Sequence, residues 1–185
     1  MNRTARIVLL NGVGSVGKST IAKALQAITE DPFLYVAMDA FLDMLPEASW
    51  GRADGITFET VREDGRPSVA IHTGPVAERA LGGMRHGIAA MAAQGNDMIV
   101  DEVLMDGTGA EYVELLSPYA LHLVGVFAPL DVLEARERQR GDRMIGLARW
   151  QYDRVHEGMT YDLELDSSRS TPEDCARQIK MRFGL

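Results

Sequence analysis

The segment GVGSVGKS, at residues 12–19, follows the apolar run RIVLLN at residues 6–11 and precedes a stretch with helical spacing at residues 18–29. It fits the pattern G-x-x-x-x-G-K-[ST] in the strand-to-helix context that gives the pattern its mechanical meaning. The glycines let backbone N–H groups turn inward around phosphate oxygens, and the helix that begins near Lys18 points its positive end at them. The sequence therefore predicts a loop that binds the phosphates of a nucleoside triphosphate.

Two side chains of this loop carry specific chemistry. Lys18 supplies a mobile cation, and Ser19 can place its hydroxyl on Mg²⁺. The alternative is a glycine-rich turn without a ligand, but the flanking strand and helix argue against it. We therefore expect ATP and Mg²⁺ as cofactors. The residues expected to contact the nucleotide here are Gly12, Val13, Gly14, Ser15, Val16, Gly17, Lys18, Ser19 and Thr20.

Apolar runs of strand length recur between segments with helical spacing, which is typical of a sheet built from βαβ units. The predicted strands cover residues 6–11, 33–39, 98–104, 121–127 and 161–166. The predicted helices cover residues 18–29, 75–94, 109–117, 130–140, 143–157 and 172–183. The pattern indicates an α/β fold with a mostly parallel sheet covered by helices on both faces.

One segment breaks this alternation. In residues 56–71 apolar and polar side chains nearly alternate on either side of Glu63-Asp64-Gly65-Arg66, which indicates a β-hairpin. We expect an insertion at about residues 55–72 that covers the sheet rather than a separate domain. The length of 185 residues suits one domain, spanning residues 1–185.

The charge balance excludes several classes of protein. There are 19 Lys and Arg residues against 27 Asp and Glu residues, a net charge of −8, which argues against binding nucleic acid through bulk charge. No stretch approaches the roughly 18 apolar residues of a membrane span. Arg3 and Arg6 precede only four apolar residues, too few for a signal peptide, and the single Cys175 cannot form an intramolecular disulfide. We expect a cytoplasmic protein without a membrane or nucleic-acid partner, and the sequence leaves a homo-oligomer open.

Acidic residues follow two of the predicted strands, at the edge where open α/β sheets place their ligands. Asp101 and Glu102 lie in the run at residues 98–104, and Asp101 is expected to help hold Mg²⁺ rather than only cap the next turn. Glu102 either polarises a water molecule or faces solvent. Asp39 closes the second strand, either as a helix N-cap or as the general base that takes the proton from an attacking hydroxyl. Spacing alone does not decide between these two roles.

Five arginines fall between residues 136 and 149, namely Arg136, Arg138, Arg140, Arg143 and Arg149. The spacing of Arg136, Arg140 and Arg143 is i, i+4, i+7, which places them on one helix face unless Gly141 interrupts the helix. An arginine lid at about residues 136–150 could close over the reacting phosphates and exclude water. The alternative is a solvated face paired with neighbouring acids.

With these residues in place, the chain resembles the chloramphenicol phosphotransferase family, small P-loop kinases that phosphorylate a hydroxyl of that antibiotic. The likeness covers most of the chain, in NGVGSVGKST, VAMDAF, HTGP, MIVDEVL, the run at residues 140–143 and HEGMTYDLELDSS. The resemblance implies a P-loop kinase fold with a five-stranded sheet of order 2-3-1-4-5. It also implies transfer of the γ-phosphoryl group of ATP to a small molecule, chloramphenicol or a related alcohol.

The resemblance assigns residue roles as well. Asp39 is expected to be the catalytic base, and Lys18, Arg136 and Arg140 are expected to act with it on the phosphoryl group. Ser19 and Asp101 are the expected Mg²⁺ ligands, and the arginines at 140 and 143 are expected to contact phosphate or adenine. Arg143 thus completes the predicted nucleotide site.

Departures from the family pattern lie where the substrate is recognised. The loop interior carries the bulkier Val13 and Val16, and the hairpin is longer and more charged. Its charged residues, with those just before it, are Arg52, Asp54, Glu59, Arg62, Glu63, Asp64 and Arg66. This cover could recognise a more polar alcohol than chloramphenicol, so the chemistry transfers more safely than the substrate.

Three other functions remain open at this point. One is a metabolic alcohol kinase of the shikimate or gluconate type. Another is a nucleotide-dependent switch or slow ATPase in which Asp101 and Glu102 activate water. The third is a nucleotide-binding module without catalysis. The sequence also leaves open whether the role is antibiotic resistance or ordinary metabolism.

Overall fold

The computed structural model describes residues 4–63, 65–141 and 144–185. The strands are β1 (Arg6–Asn11), β2 (Phe33–Ala37), β3 (Ile56–Glu63), β4 (Arg66–Thr73), β5 (Asp97–Glu102), β6 (Ala120–Phe127) and β7 (Leu163–Asp166). The helices are α1 (Lys18–Ile28), α2 (Met38–Leu42), α3 (Pro75–Ala93), α4 (Thr108–Leu116), α5 (Leu130–Arg140), α6 (Leu147–Tyr152) and α7 (Pro172–Phe183), with a 3₁₀ turn at Glu47–Ser49.

Five strands form one sheet in the order β2-β5-β1-β6-β7, and every neighbouring pair is parallel. With the two hairpin strands left out of the count, this order is 2-3-1-4-5, so the predicted fold class is confirmed. The carboxyl ends of β1, β2 and β5 therefore meet at one edge, where the phosphate loop and the strand-end acids lie.

The sheet is buried on both faces because the side chains of a strand alternate between them. Val8 and Leu10 of β1 pack into a core with α1 and α7. Ile7 and Leu9 pack into a second core with α3 and α4. All four side chains are fully buried, which explains why β1 is a continuous apolar run rather than an alternating one. Among the described residues, no helix is both long and apolar enough to cross a membrane.

The predicted hairpin is present as the antiparallel pair β3 and β4, with Ile56 opposite Thr73 and Glu63 opposite Arg66. It packs on α2 and α3 through a small apolar cluster that contains Leu42, Ile56 and Ala77. The hairpin therefore lies over the sheet edge where the phosphate loop begins its helix.

Two of the differences from the predicted boundaries bear on the site. Strand β2 ends at Ala37, so Asp39 lies in the first turn of α2 rather than at a strand end. The helix predicted at residues 143–157 is confined to α6, because Gly146 at its start has a φ of 104° that a helix cannot continue through. After Tyr152 the chain turns, and the side-chain amide of Asn11 donates to the carbonyl of Val155 at 2.7 Å instead.

Candidate active site

The phosphate loop, residues 12–19, leaves the carboxyl end of β1 and enters α1. Gly17 is the N-cap of α1 with a φ of 103°, a conformation that favours glycine. At Gly12 a Cβ atom would lie 2.5 Å from the carbonyl oxygen of Val126 on β6, so only glycine fits between the strands there. Val13 and Val16 are buried in the core with α1 and β6, so the two valines face away from the phosphate side and support the loop from below.

The Lys18 ammonium lies across this loop and is 6% exposed. Its Nζ donates to the carbonyl oxygens of Gly12 at 2.7 Å and Val13 at 3.2 Å, and lies 3.7 Å from Asp101 Oδ1. These contacts hold the cation against the backbone of the loop. The predicted position of Lys18 beside the phosphates is consistent with this geometry.

Asp101, near the end of β5, accepts two hydrogen bonds on its Oδ2 atom. Ser19 Oγ donates at 2.8 Å and Tyr35 OH donates at 2.8 Å. The pair of Ser19 and Asp101 offers a hydroxyl and a carboxylate, the oxygen donors that Mg²⁺ prefers, so these residues fit the predicted metal. Burial raises the pKa of Tyr35, which keeps its hydroxyl a donor. Tyr35 was missed from the sequence, because only the pairing of β2 with β5 brings it to Asp101.

Glu102 does not face bulk solvent, which was one of the two roles left open by the sequence. It is buried, and its carboxylate accepts hydrogen bonds from Tyr112 OH at 2.6 Å and from the Val103 N–H at 3.2 Å. Burial raises the pKa of this carboxyl group. The bond to Tyr112 ties β5 to α4.

A cavity of about 510 Å³ lies between the phosphate loop, α2 and the hairpin, and we call it the front cavity. Its lining brings together the predicted residues Lys18, Ser19, Asp39, Asp101 and Arg140. Asp39 is exposed at the edge of this cavity. Asp39, the predicted base, and the phosphate loop thus border one space, although α1 and β2 separate them in the sequence.

The hairpin wall of the front cavity is apolar. Trp50 and Phe58 stack with ring centroids 6.3 Å apart and planes 8° from parallel, and Ile71 lines the cavity beside them. The charged residues lie elsewhere: Arg52 pairs with Asp54 at 2.9 Å in an exposed position. Within the hairpin His72 lies 3.4 Å from Glu59, and Glu63 pairs at 2.8 Å with Arg154 of the turn after α6. Asp64 lies outside the described residues. The described charged residues of this segment do not line the front cavity, so the structure gives no support to the expected polar cover.

A second cavity of about 380 Å³, the rear cavity, lies on the other side of the loop. Its lining includes Val16, Gly17, Arg136, Ser167 and Pro172. Arg136 donates to the carbonyl oxygen of Val16 at 3.2 Å, to Ser167 Oγ at 3.0 Å and to the Ser167 carbonyl oxygen at 2.8 Å. This arginine therefore joins the phosphate loop to the segment after β7.

Arg136 and Arg140 lie four positions apart on α5, as the predicted spacing requires. Helix α5 ends at Arg140, because Gly141 follows with a φ of 69°, and this is the interruption that the sequence left open. Arg140 lines both cavities, Arg149 pairs with Glu134, and Arg143 lies outside the described residues. Arg136 and Arg140 thus remain as the arginines that the described structure places beside the phosphate loop.

Two further residues of this region were missed from the sequence. Glu137 on α5 is 2% exposed and accepts from the backbone N–H groups of Gly146 and Ala148, each at 2.8 Å. Gln151 on α6 is buried and accepts from the Gly14 N–H at 2.8 Å. The contact of Gln151 joins segments 137 positions apart, and the contacts of Glu137 join α5 to the start of α6. No local sequence motif indicates either of them.

Solved structures show what the fold is. The chain aligns with a sugar kinase from Janibacter sp. HTCC2649 with a TM-score of 0.66 and 20% identity, covering 97% of this chain and 95% of that one. It also aligns with the Mycobacterium tuberculosis APS kinase at a TM-score of 0.68 and 15% identity, covering 98% and 99% of the two chains. The Deinococcus radiodurans tunicamycin resistance protein gives 0.67 and 18%, covering 98% and 96%. These likenesses show that the chain has the P-loop kinase fold.

Sequence comparison gives the family. A model described as chloramphenicol phosphotransferase-like protein matches residues 5–184, so this chain belongs to that family of phosphotransferases. A Mycobacterium tuberculosis protein named "Putative O-phosphotransferase" is 28% identical over 182 residues, covering 94% of this chain and 80% of the relative. The family resemblance inferred from the motifs is confirmed.

Proposed function

We propose that this protein is an ATP- and Mg²⁺-dependent O-phosphotransferase that moves the γ-phosphoryl group to a hydroxyl of a small molecule with an apolar, aromatic face. The observation that carries the proposal is the front cavity, which has Lys18, Ser19 and Asp101 on one side and Asp39 on its edge. Parallel sheets bind ligands at this edge, and the cavity leaves room for an alcohol between the base and the loop.

The chemistry follows from these positions. Lys18 exchanges its contacts with the Gly12 and Val13 carbonyl oxygens for phosphate oxygens. Ser19 and Asp101 would hold Mg²⁺, which neutralises charge on the phosphates when it is bound. Asp39 takes the proton of the acceptor hydroxyl while the oxygen of that hydroxyl bonds to the γ-phosphorus. The bond from the γ-phosphorus to the β-phosphate oxygen breaks, and ADP leaves.

The two arginines have different parts in this proposal. Arg140 borders both cavities, so its guanidinium can follow the charge that spreads over the transferring group. Arg136 uses its donors on Val16 and Ser167 and lines only the rear cavity. We therefore assign Arg136 to the nucleoside side of ATP, where it fixes the loop, rather than to the reacting phosphoryl group.

The cavity wall favours chloramphenicol or a similar aromatic alcohol over a sugar acid. An aromatic ring can stack on the faces of Trp50 and Phe58. Those faces offer no hydrogen bonds to the hydroxyl groups of a gluconate-type acceptor. The ATPase alternative needs an acid that activates water, and Glu102 is bonded to Tyr112 instead. Both observations support transfer to an apolar alcohol.

The test is transfer of labelled γ-phosphate to a panel of hydroxylated antibiotics and metabolites that includes chloramphenicol and gluconate. Loss of a general base costs about 10²- to 10⁴-fold in rate, so Asp39→Asn is expected to lower kcat by that factor with ATP binding unchanged. Asp131→Asn is the matched control, since Asp131 is an exposed aspartate in the first turn of α5. Undiminished transfer by Asp39→Asn would refute the assigned base, and turnover without any acceptor would refute the kinase.

A further inference from the structure

Gln151 makes an unusual contact for a residue on a short helix. Its Oε1 atom accepts the Gly14 N–H at 2.8 Å, yet Gln151 and Gly14 are 137 positions apart. The residue is 5% exposed, and its amide nitrogen has no hydrogen-bond partner among the residues that the structure describes. This nitrogen is not among the described buried polar atoms that lack a partner, so solvent reaches it and a ligand in the adjoining cavity could accept from its two N–H donors.

Gln151 borders the front cavity and a further cavity beside α3, but not the rear cavity. Gln151 and Gly14 both line the front cavity, and neither lines the rear cavity. The loop residues of the rear cavity are the later ones, Ser15, Val16 and Gly17, with Thr20 after them. Gly14 therefore lies on the side of the loop that meets Asp39 and the acceptor, where the last phosphate of ATP must lie for transfer.

We propose that Gln151 contacts the γ-phosphoryl group of ATP: its amide oxygen holds the Gly14 N–H, and its amide nitrogen donates to an oxygen of the transferring group. This inference rests on the proposed function, because it takes the front cavity to be where transfer occurs. A neutral amide suits the position, since one end accepts from the loop while the other donates to the phosphate.

The helix that carries Gln151 is held firmly enough to position it. At its start, Glu137 accepts from Gly146 and Ala148, and the carbonyl oxygen of Gly146 accepts from the Val69 N–H of β4 at 3.0 Å. Gln151 follows one turn later on α6. The side chain therefore approaches the loop from a fixed helix rather than from a free loop.

The experiment measures binding of ADP and of the non-hydrolysable analogue AMPPNP, each with Mg²⁺, by titration calorimetry on the full chain. Gln151→Met keeps the length of the side chain and removes both amide functions. We expect about 10- to 150-fold weaker AMPPNP binding, the range of one charge-assisted hydrogen bond, and less than about twofold change for ADP. Gln151→Glu places a carboxylate against the phosphoryl group and is expected to weaken AMPPNP at least about tenfold more than ADP.

The matched control is Gln94→Glu, which makes the same charge change at an exposed position after α3 and should leave both affinities unchanged. Equal weakening of ADP and AMPPNP in Gln151→Met would show that Gln151 only supports the loop, and unchanged affinities in both variants would show that it contacts no phosphate; either result overturns the inference. Because the readout is binding, it is independent of the acceptor. The expected AMPPNP effect without transfer to any alcohol would uphold Gln151 and refute the proposed function.

Discussion

Replacing Glu137 with glutamine tests how α6 is held beside the cavity. The two carboxylate oxygens of Glu137 each accept one backbone N–H at 2.8 Å, Oε2 from Gly146 and Oε1 from Ala148. These donors belong to the N-terminus of α6, where backbone N–H groups have no partner within the helix. A buried carboxylate thus replaces the N-cap side chain that Gly146 lacks.

The size of the effect follows from this geometry. Glutamine keeps one acceptor oxygen and turns an NH₂ group toward the other N–H, so one charge-assisted hydrogen bond is lost and a buried donor is left unsatisfied. Such a bond contributes about 1.5–3 kcal/mol, and we expect the free energy of unfolding to fall by about 2–4 kcal/mol. That loss is smaller than the roughly 5–15 kcal/mol total of a typical domain, so the variant should still fold.

The assay is urea unfolding of the wild type and Glu137→Gln, followed by circular dichroism, with the midpoint shifted and the slope unchanged. Glu114→Gln is the control, because Glu114 is an exposed residue on α4 and surface changes of this kind stay within about 0.5 kcal/mol. A loss below about 0.5 kcal/mol in Glu137→Gln would refute the reasoning, since it would mean that the two N–H groups need no carboxylate.

Three further outcomes are expected. Gly12→Ala should lower the free energy of unfolding by about 1–3 kcal/mol and weaken ATP binding, because its Cβ meets the Val126 carbonyl oxygen; a thermal melt with and without ATP checks this. Phe58→Ala should raise KM for an aromatic acceptor and leave KM for ATP unchanged, measured by steady-state kinetics. Burial lowers the pKa of His156 to about 4, below the roughly 6.5 of an unfolded histidine, so wild-type stability should fall from pH 7 to pH 4 and His156→Gln should flatten that dependence in urea unfolding.

The sequence predicted the sheet well for a physical reason. A strand buried on both faces needs a continuous apolar run, and the runs in β1, β5 and β6 are visible without knowing any neighbour. The phosphate loop was equally visible, because its glycines meet local backbone demands. Asp39 and Asp101 could be named as candidates because they lie at the ends of such runs. The sequence did not show that β2 ends two residues before Asp39, because the end of a strand and the start of the next helix have similar residue patterns.

What the sequence did not show depends on contacts between distant segments. Tyr35 reaches Asp101 only because β2 pairs with β5, and Gln151 reaches Gly14 only after α6 folds back over the loop. The helix around Gln151 was predicted too long because the apolar spacing continues past Tyr152, while the turn that follows is held by the bond from Asn11 to Val155. Tertiary hydrogen bonds overrode the local spacing there.

Helix α6 contacts both the hairpin and the phosphate loop, which in the proposed function meet the acceptor and the nucleotide. At the start of α6, the carbonyl oxygen of Gly146 accepts from the N–H of Val69 on the hairpin strand β4. At the other end, Gln151 accepts from the Gly14 N–H of the phosphate loop. A shift of α6 on nucleotide binding would therefore move the hairpin that covers the acceptor. Linkage requires that any such effect be reciprocal, so an acceptor that strengthens ATP binding must itself bind more tightly by the same factor when ATP is present. Glu137 fixes the start of α6. Its replacement would therefore lower the stability of the protein and also weaken such a coupling between the two substrates.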